Sequence, residues 1–334
     1  METDFIFNRT DGVEDIHLCY ESENGSCIME ITPLTIRVLL YILLGSLSVI
    51  TTCGNLLVII SIIYFKQLHT PTNYLILSLA VSDLLVGALV LPFSMALSVS
   101  SCWYLADVIC QVGRSLDTSL TTSSILNLCF ISTDRYYAVC QPLRYRAKIN
   151  VHVAMIMILV SWGVSVLGGI SIIFMGFSQG KCEGRCFIFH IPISSIMGCI
   201  FSFYLPGIVM LSIYLKIFLV AQRQALSIQN TNCQSIKSGA SVSKMERKAT
   251  KTLAIVMGVF LICWTPFFLC VTFQPLSNDS IPVPVIETLS WLAMSNSMLN
   301  PFVYAFFYSW FRAAFRMIIS GKIFQGDFAN SKLL

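Results

Sequence analysis

Arg114-Ser-Leu-Asp117-Thr-Ser-Leu-Thr-Thr-Ser-Ser-Ile-Leu-Asn-Leu-Cys-Phe130 decides how this chain is read, because it sets a carboxylate inside a long helical and largely uncharged window. A carboxylate in a bilayer costs on the order of a few kcal/mol unless a cation meets it, so one held there marks a site for a proton, a metal or a positively charged ligand. Asp117 follows Cys110 by about 10 Å of helix and precedes Asp134-Arg135-Tyr136 by about 25 Å. That spacing puts it in the outer third of a membrane span, with a charged pair at the inner edge. A purely structural role would need a buried cation, and span three is read as offering none.

Working outward, 56% of the residues are hydrophobic and 11% charged, against about 25% charged in a soluble domain. Seven windows are long enough to cross about 30 Å of hydrocarbon: 36–64, 73–97, 109–137, 152–175, 192–220, 247–273 and 284–306. The expected fold is an all-α membrane protein, a seven-transmembrane helix bundle over 36–306. An extracellular segment, 1–35, precedes it. Residues 307–334 supply a short amphipathic eighth helix and a cytosolic tail, with Phe311, Phe315 and Ile319 on one face and Arg312 and Arg316 off it. The first 35 residues lack an apolar signal core, so span one is expected to act as the insertion signal.

Orientation follows from the basic residues. Lys66, Arg144, Arg146, Lys148, Arg223, Lys244, Arg247, Lys248, Arg312 and Arg316 fall on one side, which is therefore cytosolic. The opposite side carries Glu14, Asp15, Glu21, Glu23, Glu30 and Glu183, an acidic face that draws cations. The net charge of +4 is the sum of two oppositely biased faces and implies no nucleic acid. Asn8-Arg-Thr10 and Asn24-Gly-Ser26 are glycan acceptors on the outer side.

Of 13 cysteines, Cys19, Cys27, Cys102, Cys110, Cys182 and Cys186 lie in the compartment that permits disulfides. Their pairing is not fixed by sequence. A bond from Cys110 to the Cys182-Glu-Gly-Arg-Cys186 segment would pin a loop across the mouth above Asp117. The remaining cysteines are read as free, and scattered His with no Cys-x-x-Cys pair argues against zinc.

Landmarks from every span now assemble: Asn55 in Gly-Asn-Leu-Leu-Val, Asp83 in Leu-Ala-Val-Ser-Asp-Leu-Leu, Cys110 with Asp134-Arg135-Tyr136, Trp162, Pro206, Cys263-Trp264-Thr-Pro266 and Asn300-Pro301-Phe-Val-Tyr304. In this the chain resembles the rhodopsin-like, class A G-protein-coupled receptors over almost its whole length. Two stretches, Leu18 to Cys27 and Asn296 to Phe311, are similar to trace amine-associated receptors. The resemblance implies a multi-pass plasma-membrane receptor with its amino terminus outside, a small amine ligand and a heterotrimeric G protein of the stimulatory type that raises cyclic AMP. Arrestin, a receptor kinase and membrane lipid are further partners in that class. It also implies a Cys110–Cys186 bond and a Cys27–Cys182 bridge.

The residue types explain an amine. An alkylammonium needs a counter-ion, which Asp117 supplies, and an electron-rich surround, which Trp264, Phe267, Phe268 and Trp291 supply by cation–π contact at about 0.5–2 kcal/mol each. Ser195 and Ser202 of span five are the candidates for hydrogen bonding to the far end of the ligand. Serines in membrane helices also bond back to their own backbone. Met294 stands where trace amine relatives usually carry a Tyr that bonds the amine-binding Asp. Glu287, about two turns above it, is either a rim charge or a second anchor for a diamine or polyamine.

Asp83 calls for a different ligand. Oxygens from Ser124, Asn296 and Ser297 around its carboxylate suit a hard cation, and by resemblance this is an allosteric sodium pocket; no other cofactor is expected. At the cytosolic end, Arg135 beside Asp134 is expected to pair with Glu246 and hold the bundle shut. Phe260, Trp264 and Pro266 would swing span six, and Tyr214 and Tyr304 would then meet Arg135 in the opened cleft. A transporter would show paired broken helices in an inverted repeat, which is lacking, and no nucleophile, base and orienting group stand at an enzyme's spacing. Another aminergic receptor is the nearer competitor, and the stretch from Asn296 to Phe311 argues against it.

Overall fold

A computed structural model of the chain describes residues 33–100, 107–177, 192–230, 237–274 and 281–321, and among them it contains helices and short connections but no strand. Seven long helices run Leu34–Tyr64, Pro71–Val99, Asp107–Cys140, Val151–Phe177, 192–230, Lys237–Phe273 and Val283–Phe307. They are the seven expected spans. A short helix, Pro142–Lys148, joins the third to the fourth.

Five of the seven carry an apolar window long enough for a bilayer: the first, second, fourth, fifth and sixth. The third and seventh do not, because they hold Arg114, Asp117 and a run of Ser and Thr, and Glu287 with Asn296 and Asn300. Their polar groups are tolerable because neighbours shelter them. The third span touches the second, fourth, fifth and sixth. Leu39, Ile42, Leu159, Leu167, Leu215 and Phe218 stand exposed on the first, fourth and fifth spans, as a lipid-facing perimeter requires.

Local chemistry sets the helix ends and their approach. Thr70 caps the second span, accepting from the Asn73 N–H at 3.3 Å, with Pro71 in the first turn, where its missing N–H costs nothing. A wider π turn interrupts the second span at Val86–Val90 and the fifth at Ile200–Tyr204. The third and fourth spans approach closely at Gly169, where any Cβ would run into Ser119 Oγ and, at 2.7 Å, the Ser115 carbonyl. Trp162 Nε1 donates to Ser78 Oγ at 3.1 Å and ties the fourth span to the second.

The amphipathic helix is present as Ser309–Ile319, packed against the first and seventh spans. Its buried face is Trp310, Phe311 and Ala314, while Phe315 and Ile319 stay exposed. The expected Phe311, Phe315, Ile319 stripe is therefore divided between the bundle and the membrane interface. Arg312 Nη1 donates to the carbonyls of Ala305 at 3.2 Å and Phe306 at 2.9 Å, satisfying groups left open at the end of the seventh span.

Candidate functional site

A cavity of about 680 Å³ opens among the third to seventh spans with Asp117 on its wall. Thr118, Thr121 and Thr122 flank Asp117, and Trp264, Phe267 and Phe268 stand across the cavity from the sixth span. Thr121 Oγ1 donates to Asp117 Oδ1 at 3.3 Å. The aromatic wall is braced from behind. Phe203 stacks on Phe268 with ring centroids 4.3 Å apart, and Trp264 and Phe267 meet the same ring at 5.8 and 5.5 Å. Tyr204 donates to the Phe268 carbonyl at 3.3 Å, across the helix turn that follows Pro266.

Span three does offer a cation beside Asp117, the half-buried Arg114, contrary to the reading of its sequence. Arg114 lines the same cavity and interacts electrostatically with both Asp117 and Glu287. Its spacing of three from Asp117 sets both side chains on one helix face. The two carboxylates and one guanidinium sum to a single negative charge.

Asp83, fully buried, sits deeper in the bundle. Its Oδ1 accepts from Ser124 Oγ and Ser297 Oγ, both at 2.8 Å, and its Oδ2 from Asn300 Nδ2 at 2.7 Å. Asn55 joins the network by donating to the Ser297 carbonyl at 3.0 Å. Asn296 is buried nearby in sequence, yet its Nδ2 has no hydrogen-bond partner. The two serine hydroxyls rotate freely enough to turn lone pairs toward a small cation, so the donor set fits one. Among the described residues no cluster of His, Cys, Asp and Glu suits a transition metal.

At the cytosolic end Asp134 is fully buried and saturated. Arg135 Nε donates to its Oδ2 at 2.8 Å, Thr72 Oγ1 to the same oxygen at 2.9 Å, and Tyr145 Oη to its Oδ1 at 2.9 Å. Arg135 Nη2 also donates to Thr72 Oγ1. Burial holds the Tyr145 phenol above its ordinary value, so it remains a donor through the neutral range. Tyr214 accepts from Ser132 Oγ at 3.2 Å one turn from Arg135, and Tyr304 packs edge-on to Tyr308 at 5.9 Å. Phe260 is buried against Phe203 at 5.7 Å, below Trp264.

The description "7 transmembrane receptor (rhodopsin family)" belongs to a family pattern that matches residues 54–304. The chain belongs to that family. Trace amine-associated receptor 1 of Homo sapiens is 45% identical over 330 residues, covering 94% of this receptor and 97% of the relative. The same receptor of Macaca mulatta is 46% identical with the same coverage, and trace amine-associated receptor 4 of Mus musculus is 40% identical over 96% of each chain. The receptor is thus a trace amine-associated member of the G-protein-coupled class, a multi-pass protein of the plasma membrane and not an enzyme.

Of the sequence-derived site residues, the receptor brings Asp117, Trp264, Phe267, Phe268, Ser202 and Met294 to one cavity. Trp291 and Glu287 do not line it. Helical phase turns Trp291 aside, since Ser290 and Met294, four apart, face inward; Glu287 shares that face about one turn further out. Ser202 Oγ donates to the Gly198 carbonyl at 2.7 Å, the self-bonding weighed from sequence. Met294 accepts weakly from Ser94 Oγ at 3.9 Å. Cys110 is disulfide-bonded, and Cys53, Cys129, Cys140, Cys199, Cys263 and Cys270 are free. Cys27, Cys182, Cys186, Asn8, Asn24 and the side chains of Ser195 and Glu246 lie outside the described residues. Sequence reasoning missed Arg114, Thr121 and the whole fourth-span wall.

Proposed function

We propose that the receptor recognises one protonated amine, with Asp117 as the ammonium's counter-ion and Trp264, Phe267 and Phe268 as its aromatic surround. The carrying observation is that Asp117 is the one carboxylate lining a mostly apolar cavity, with Arg114 the one cation beside it. The charge sum supports a monoamine: Arg114 offsets one of two carboxylates, leaving a site that a single cation neutralises. The diamine reading has less support, since Glu287 interacts electrostatically with Arg114 and does not line the cavity.

Amine binding acts on the sixth span through Trp264 and Phe268, whose rings continue inward to Phe203 and Phe260. Opening there releases Arg135 from the Asp134 cluster and admits a stimulatory G protein, raising cyclic AMP; arrestin and a receptor kinase bind the same opened end. Asp83, Ser124 and Ser297, with Asn296 alongside, hold sodium in the closed state. The outer face is clasped by Cys110–Cys186 and Cys27–Cys182 and carries glycans at Asn8 and Asn24.

Cyclic AMP is measured in transfected cells over monoamines, diamines and polyamines, with surface expression matched. Asp117→Asn removes an ion pair worth about a thousand-fold at 4 Å and an effective dielectric near 20, so monoamine potency falls by two to three orders of magnitude. A receptor that answers only dications, and loses them in Glu287→Gln, overturns the single-anchor reading.

A further inference from the structure

We propose that the amine cavity has a second mouth, opening sideways into the bilayer between the fourth and fifth spans, which admits the hydrocarbon tail of an amphiphilic alkylamine. The inference rests on the proposed seat of the ammonium at Asp117 and concerns where the rest of the ligand goes.

The fourth and fifth spans barely touch; each packs on the third instead. Val164 and Ser171 of the fourth, and Met197, Gly198 and Phe201 of the fifth, line the cavity and are exposed, and Val164 shares its helix face with Val160 and Leu167, which are exposed and do not line the cavity. A side chain both lines the cavity and shares an outward face only where the wall is open. Counted from Val151 at the cytosolic end of the fourth span, Val164 stands after a rise of about 20 Å and Ser171 after about 30 Å, so the gap runs from the depth of the outer leaflet's acyl chains up to the outer interface.

The mouth is chemically a hydrocarbon channel. Ser171 Oγ donates to the Gly168 carbonyl at 2.6 Å, and Ser202 Oγ to that of Gly198 at 2.7 Å, so both hydroxyls are satisfied by their own helices. What faces the opening is methyl, methylene and ring. Gly168 and Gly198 widen it from opposite sides: a Cβ at either would meet no atom within 4 Å. The space exceeds a compact ligand's needs as well. At about 30 Å³ per water-sized group, 680 Å³ holds roughly twenty such groups, about twice what a ten-atom arylalkylamine fills. A charged end fixed by Asp117 and an apolar exit to lipid specify an amphiphile, whose tail runs from the cavity into the membrane.

The test is a series of primary n-alkylamines from propyl to decyl beside a compact arylalkylamine, read by competition binding and cyclic AMP in the full-length receptor, Gly168→Leu, Gly198→Leu and Asp117→Asn. Potency in the unaltered receptor climbs by up to about four-fold per methylene well past the length that fills the space beside Asp117. Either leucine flattens the climb and costs decylamine ten-fold or more, while the arylalkylamine shifts far less. The proposal is overturned if decylamine binds no better than butylamine, if the leucines depress both ligand types equally or neither, or if they raise the compact amine's affinity, which would mark a resident lipid chain as the occupant. Survival of every amine response in Asp117→Asn would instead sink the amine reading beneath it.

Discussion

Replacing Arg114 by Gln should make the receptor bind monoamines more tightly, an unusual outcome for loss of a pocket-lining residue. Arg114 shares a helix face with Asp117, at the three-residue spacing that holds Cβ atoms about 5–6 Å apart. An ammonium hydrogen-bonded to the Asp117 carboxylate then lies roughly 7 Å from the guanidinium, the helix-neighbour spacing extended by part of a hydrogen-bond length. At an effective dielectric near 20 the repulsion is about 2 kcal/mol, or roughly thirty-fold in affinity. Removing it also takes the site from one net negative charge to two, since Glu287 loses the cation it acts on. Dications should gain more than monocations for that reason. The assay is competition binding of a primary monoamine and an α,ω-diamine of matched length at two ionic strengths, at equal surface expression. Unchanged or weakened monoamine affinity would refute the competition argument and recast Arg114 as the group that holds Asp117 in its binding rotamer.

Two other perturbations test the deeper centres. Asp134→Asn weakens the hydrogen bonds that restrain Arg135, each worth about 1.5–3 kcal/mol when one partner is charged, so basal cyclic AMP should rise several-fold without amine; a basal level equal to the parent's at matched expression would show that Arg135 is not held back there. Asp83→Asn removes the carboxylate that three side chains address, and agonist affinity, lowered several-fold when sodium replaces potassium in the parent, should lose that dependence; an unchanged sodium effect would place the ion elsewhere.

The parts of this receptor that could be read from its sequence are those in which the bilayer enforces a rule. Seven apolar windows and the distribution of Lys and Arg are consequences of hydrocarbon as a solvent, and each window corresponds to a helix. Asp83 and Asp117 stand out for the same reason, as charges where charge is costly. The errors share a different origin. Arg114 was in plain sight, three residues before Asp117, but a basic residue near the outer end of a span is easily credited to the rim. Trp291 has the residue type of an aromatic cage, but phase decides, and the inward phase belongs to Ser290 and Met294. The gap between the fourth and fifth spans has no signature within either helix. It follows from both choosing the third as partner, a choice made partly at Gly169, where only hydrogen fits against Ser115 and Ser119.

That central third span also offers a route by which a charge near the outside can reach the network near the middle. Asp117, Thr121 and Ser124 climb one face at spacings of four and three, the first joined to the second by the 3.3 Å bond and the third joined to Asp83 at 2.8 Å. An ammonium that draws Asp117 toward the cavity pulls on a rigid rod whose next polar contact is the Asp83 network, and Ser297 and Asn300 carry that network into the seventh span. The path is short, about 10 Å along one helix, so a small shift of the third span carries from one end to the other. It requires that the hydrogen bonds at its two ends have more than one arrangement, which rotatable hydroxyls provide.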